Sequence, residues 1–165
     1  GYLRSVMGEL ERSNALYARA VELGSPNFNL FGWYALNMLV LGRIEDARKH
    51  NQRATELAGR NTFPLMVDAF IARQAGRPEF ARQIVDKMEE RAMTEFIPPI
   101  YLYMMHYEFG DRSHAYSWLE RARETRDVEL LFILHPIFKQ AVSDPKCRAV
   151  LDGFGIHAGN IPPRS

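Results

Sequence analysis

Glycine, small and large residues recur along this chain at one fixed spacing. Gly8, Gly42, Gly76 and Gly110 stand 34 residues apart, and five residues after each comes a small side chain: Ser13, Ala47, Ala81 and Ala115. Seven residues further on stand Ala20, Ala54, Met88 and Ala122, with a larger column of Tyr17, Asn51, Val85 and Leu119 between the two. Seven residues are nearly two helical turns, so these columns share one helix face. Small side chains there let a neighbouring helix approach, and the larger residue fills the adjoining gap. Glycine just before such a helix suits a tight turn with left-handed backbone. Each unit therefore reads as helix, Gly-centred turn, helix.

The register predicts first helices over residues 28–41, 61–75 and 98–109, and second helices over 44–57, 78–91 and 112–123. Phe31 and Ala35 hold the large and small columns of one first helix, and Leu65 and Ala69 those of the next. The third departs from the pattern: Pro99 takes the large column and Tyr103 the small one, so its packing should be looser or shifted. Asp68 occupies a normally apolar column, as either a satisfied carboxylate or the sign of a rotated helix. Pro78 opens its helix, where a missing N–H costs nothing. Beyond Asp127 the pattern changes to a short apolar helix at 129–134, a break at His135-Pro136, and a helix begun by Asp144-Pro145. A helical array needs an end cap to cover its last apolar face. Phe132, Ile133, Ile137, Phe138, Val150, Leu151, Phe154 and Ile156 are expected to supply it.

The 34-residue period is that of tetratricopeptide repeats. The C-terminal part resembles a recurring bacterial tetratricopeptide ending. The likeness is carried by Phe96-Ile97-Pro98-Pro99-Ile100-Tyr101, Gly110-Asp111, Ala115 and Trp118-Leu119-Glu120-Arg121-Ala122. It continues through Arg126-Asp127, Leu131-Phe132, His135-Pro136-Ile137-Phe138, Ser143-Asp144-Pro145, Val150-Leu151 and Gly155-Ile156. The resemblance implies an all-α, right-handed superhelix of antiparallel helix hairpins with a C-terminal helical cap. As a single domain it would span residues 1–156: a partial repeat at 1–24, repeats at 28–60, 62–95 and 96–127, a cap at 128–156, and a flexible tail at 157–165. It further implies the sensory or protein-interaction module of a bacterial regulator. Such endings follow adenylate cyclase-type domains, winged-helix DNA-binding domains or protein kinases. Residues 2–7 read as the end of a helix begun upstream, with Gly1 a cloning remnant, so a C-terminal fragment of a longer protein is expected.

Composition narrows the function. The formal net charge is +1, with seventeen arginines and four lysines, so neither a strong phosphate-binding surface nor an acidic cation sink is expected. Cys147 is the single cysteine, which excludes an internal disulfide and leans towards a cytoplasmic setting. No apolar run reaches the length of a membrane span. The histidines at 50, 106, 114, 135 and 157 show no metal-ligand spacing; His106 reads as a packed ring, and His50 and His114 as exposed. Glu89, Glu90 and Glu120 lie among arginines, as on a solvated, salt-bridged face. No phosphate-cradling glycine loop or nucleophile elbow occurs. Catalysis, metal and cofactors are therefore not expected.

In tetratricopeptide superhelices the first helices line a concave groove. The columns expected there are Tyr2, Leu36, Phe70 and Met104, then Leu39, Arg73 and Tyr107, with Met66 and Ile100 one turn earlier. This apolar face argues against a clamp for acidic peptides and for a hydrophobic protein or peptide contact. The same residues could instead be inter-helix core. A small-molecule or peptide sensor is the alternative function. Another is self-association, as a homodimer formed through the N-terminal half-repeat.

Overall fold

The computed structural model describes residues 9–157, and all regular structure among them is helical. The long helices are α1 (Leu10–Glu22), α2 (Phe28–Val40), α3 (Ile44–Ala58), α4 (Phe63–Gln74), α5 (Pro78–Ala92), α6 (Pro99–Glu108) and α7 (Arg112–Glu124). Two 3-10 segments follow, Val128–Leu134 and Pro136–Phe138, and then α8 (Lys139–Ser143) and α9 (Pro145–Gly153). Each helix expected from the repeat register is present, with its ends within two residues of expectation. The apolar segment after Asp127 is a 3-10 turn, and α8 was not foreseen. No described helix is long and apolar enough to cross a membrane.

The turn glycines explain the register. At the end of α2, Arg43 N–H bonds Met38 O at 2.8 Å and Gly42 N–H bonds Leu39 O at 3.0 Å, the paired bonds of a Schellman turn. Gly42 has φ 73°, and a Cβ built on it would meet nothing within 4 Å, so the demand is for backbone conformation and not for space. The bonds recur around Gly76 and Gly110. Gly8 lies outside the described residues.

Burial follows the same columns. Ser13, Ala47, Ala81 and Ala115 are buried, as are Tyr17, Asn51, Val85 and Leu119. Ala54, Met88 and Ala122 are buried too, and Ala20 is half-buried.

The chain divides into two compact units, Gly1–Asp86 and Lys87–Ser165, with the division inside α5. In the first unit α2 packs against α1, α3 and α4. Gly32 is required for a steric reason, because a Cβ there would stand 2.4 Å from Cε1 of buried Phe63. That ring in turn lies 4.8 Å from the Trp33 ring. Two buried asparagines stitch the helices together. Asn37 Nδ2 donates to Ser13 Oγ (3.0 Å) and Asn14 Oδ1 (2.9 Å), while Asn51 Nδ2 donates to Pro64 O (2.8 Å) and Asp68 Oδ1 (2.7 Å). The Asp68 question is thereby settled. It is a half-buried, hydrogen-bonded carboxylate whose pKa burial raises, against the lowering pull of the Asn51 bond.

In the second unit α6 is buried from Pro99 to Tyr107 and packs against α7, α8 and the first 3-10 segment. Tyr103, anomalous for a small column, is fully buried, and its hydroxyl donates to Ala141 O of α8 at 2.9 Å. A bulky side chain is accommodated there because the cap backbone receives it. Ile133, Phe138 and Leu151 are fully buried, Val150 is 8% exposed, and Phe132, Ile137 and Ile156 are half-buried, all as expected of a cap. Phe154 is the exception at 38% exposure. It sits at the C-cap of α9, just before left-handed Gly155, where the chain folds back so that Ile156 N–H bonds Leu151 O.

Candidate functional site

The expected groove columns are taken up by packing. Leu36, Leu39, Met66 and Phe70 in the first unit, and Ile100, Met104 and Tyr107 in the second, are each 7% exposed or less. Side chains with so little accessible surface have none to offer a ligand. Their helices carry apolar residues on most of their circumference, and a helix apolar all round is buried all round. Arg73 is exposed, and Tyr2 lies outside the described residues.

Accessible apolar surface appears elsewhere in the second unit. Met93 (84% exposed), Phe96 (71%), Val128 (83%) and Leu131 (47%) stand on two segments that are tied together. Asp127 forms the tie. Its Oδ2 accepts from Ile100 N–H at 2.9 Å and its Oδ1 from Glu129 N–H at 2.9 Å, while the Tyr101 and Phe132 rings stack at 5.9 Å. Burial raises the Asp127 pKa, and the two backbone bonds oppose that rise.

A cleft of about 380 Å³ opens between α7 and α9. Buried Leu119 and Val150 form its floor, and Tyr116, Lys146 and the ion-paired Glu120 and Arg123 stand around it. The Lys146 ammonium lies 3.9 Å over the Tyr116 ring. Behind the cleft, buried Asp144 holds three helices. Its Oδ1 accepts from Lys146 N–H (2.8 Å) and Cys147 N–H (3.4 Å), capping α9. Its Oδ2 accepts from the hydroxyls of Tyr116 on α7 (2.8 Å) and Tyr107 on α6 (3.2 Å). Burial alone would raise its pKa, but the hydrogen bonds outweigh burial and hold it below the usual carboxylate range.

A third group forms at the α6–α7 turn. His106, on the last turn of α6, is buried as expected, yet it is more than a packed ring. Its Nε2 lies 2.9 Å from Glu89 Oε1, and the same oxygen accepts from Trp118 Nε1 at 3.0 Å. Glu89 is thus withdrawn from the solvated face expected of it, whereas Glu120 does pair with Arg123 on that face. Asp111 caps α7 through Oδ1, which accepts from His114 N–H at 3.2 Å, and its Oδ2 lies 2.7 Å from His114 Nδ1 and 3.9 Å from His106 Nδ1. This grouping leaves no ligand spacing in the sequence, because His106 and His114 are not one turn apart on one helix. The signal available was His, Asp and His flanking the Gly110 reversal.

Two remaining reactive side chains are muted. Cys147 is buried, and burial pushes its thiol up to about 12, opposite to the shift that makes a nucleophile. His135 is fully buried with its pKa lowered to about 3 by desolvation, so its ring is neutral and its Nδ1 accepts from Ile137 N–H at 3.3 Å. Compared with protein-family models, with curated proteins and with solved structures, the chain matches none.

Proposed function

We propose that this chain is a non-catalytic protein-interaction scaffold of the tetratricopeptide type, serving as the sensory or interaction module of a bacterial regulator. The repeat part of the reading is supported by the 34-residue register, which recurs in helix ends, in turn glycines and in burial alike. The interaction part is carried by one observation: Met93, Phe96, Val128 and Leu131 expose large apolar side chains on two segments joined through Asp127. Single exposed apolar residues are ordinary, but four large ones on two segments that hydrogen bonds join are what an apolar contact would use. We therefore assign the apolar contact to these two segments instead of to the buried groove columns.

The test is a Phe96→Asp, Val128→Asp double variant. Both positions are exposed, so the helical melting curve should stay within a few degrees of wild type. Binding to the parent regulator's other domains, or to a partner purified with it, should fall by about 10-fold or more. Undiminished binding in a folded variant would exclude this face.

A second reading has its own support. The α7–α9 cleft is of a size that takes a small ligand or one anchoring side chain of a peptide. Ligand-dependent change at Tyr116 with no effect of the Phe96 and Val128 substitutions would favour a sensor.

A further inference from the structure

The geometry points to a divalent transition-metal site, of the zinc type, formed by His106, Asp111 and His114 where α6 turns into α7. One ligand atom from each of the three residues lies within 4.8 Å of the others. Glu89 sets the tautomer of the first ligand. A carboxylate only accepts, and Trp118 Nε1 only donates. Glu89 Oε1 therefore receives a hydrogen from Trp118 and a second one from His106 Nε2. With its ring hydrogen assigned to Nε2, neutral His106 carries a lone pair on Nδ1.

Nδ1 lies 3.9 Å from Asp111 Oδ2, too far for a hydrogen bond. Two electron-pair donors are thus neighbours. His114 Nδ1 lies 2.7 Å from the same Asp111 oxygen and donates its ring hydrogen to it; it becomes the third ligand when an ion displaces that hydrogen, which passes to Nε2 or to solvent. Zinc bound at about 2.0–2.2 Å by imidazole nitrogen and carboxylate oxygen holds its ligand atoms roughly 3.3 Å apart in a tetrahedron. The separations of 3.9 and 2.7 Å from Asp111 Oδ2 bracket that value and all three ligand atoms lie within 4.8 Å of one another, so side-chain rotation brings them around one ion. The 65% exposed His114 side chain can make most of the movement.

Three features suit the donors to this use. Asp111 already commits Oδ1 to capping α7, which fixes its carboxylate, while Oδ2 would exchange its hydrogen bond with His114 for the ion. The His106–Glu89 bond is the carboxylate-to-histidine support that orients a ligating imidazole and increases its basicity. Two imidazoles and one carboxylate prefer a zinc-class ion over calcium or magnesium, which take oxygen ligands. Three protein ligands leave a fourth position for water or a donor from a partner.

Titration of the whole chain with Zn(II) alone, followed by calorimetry, tests the site. One ion per chain is expected. Glu89→Gln should weaken binding by about 10–100-fold, and His114→Ala and Asp111→Asn should weaken it more, since they remove ligands themselves. His157→Ala, at the separate His157–Asp152 pair, should leave the affinity unchanged. His114 is exposed and Asn retains the cap at position 111, so these variants should melt like wild type without metal. Absence of saturable binding at micromolar Zn(II), or affinity undiminished in folded His114→Ala and Asp111→Asn, would overturn the assignment.

Discussion

At the residue scale the sharpest departure from local preference is Arg126. It has φ 51°, the left-handed region that a side chain normally avoids. The reason is its position: Asp127 N–H bonds back to Ala122 O at 3.0 Å, completing the turn that glycine completes at Gly42, Gly76 and Gly110. Arg126 is exposed, so its guanidinium can be removed without uncovering core. Arg126→Gly should therefore stabilise the chain by about 0.5–1 kcal/mol, the relief of left-handed strain less the added freedom of the unfolded backbone. A rise in the urea midpoint at unchanged m-value would register it. No glycine marks this position in the sequence: the turn recurs without the residue that usually forms it.

At the element scale the second unit depends on one carboxylate for the joining of α6, α7 and α9. Asp144→Ala removes a helix cap and two tyrosine hydrogen bonds together and should cost about 2–4 kcal/mol. Asp144→Asn, an equally good cap, should cost roughly half as much, because chiefly the charge-assisted tyrosine bonds are weakened. Equal losses in the two variants, measured by chemical denaturation, would show that capping contributes little. The Asp-Pro start of α9 was legible from sequence as a local signal. Its two tyrosine partners, 37 and 28 residues away, were not. Helix faces follow a similar division. The weak amphipathicity of α2, α4 and α6 is written in their composition, but whether such apolar helices line a groove or fill a core depends on what packs on their second side.

At the scale of the whole molecule, buried His135 links stability to acid. Its pKa is about 3 in the folded chain, against 6.5 for an unperturbed histidine. Between those values the unfolded chain binds a proton that the native state refuses. Stability therefore falls as pH drops from about 6.5 towards 3, by up to about 1.4 kcal/mol per pH unit. His135→Asn keeps an acceptor for Ile137 N–H and removes the titration. The difference in unfolding free energy between wild type and variant, followed from pH 7 to 4, should shrink as pH falls. A constant difference across that range would mean that His135 is protonated in the native state.

The helices, their order and their register are legible in the residue pattern, because those rest on local physics: glycine at a left-handed turn, small residues seven apart on one face, proline and aspartate at helix starts. The pattern also marks Asp68 and Tyr103 as exceptions without deciding how they are satisfied. The tertiary structure alone decided that Asp68 meets Asn51, that Tyr103 reaches the cap, and that Leu36, Phe70 and Met104 are core. It alone folded His106 and His114 to either side of Asp111. These outcomes depend on which side chains approach from other helices, and no periodicity within one helix records its neighbours.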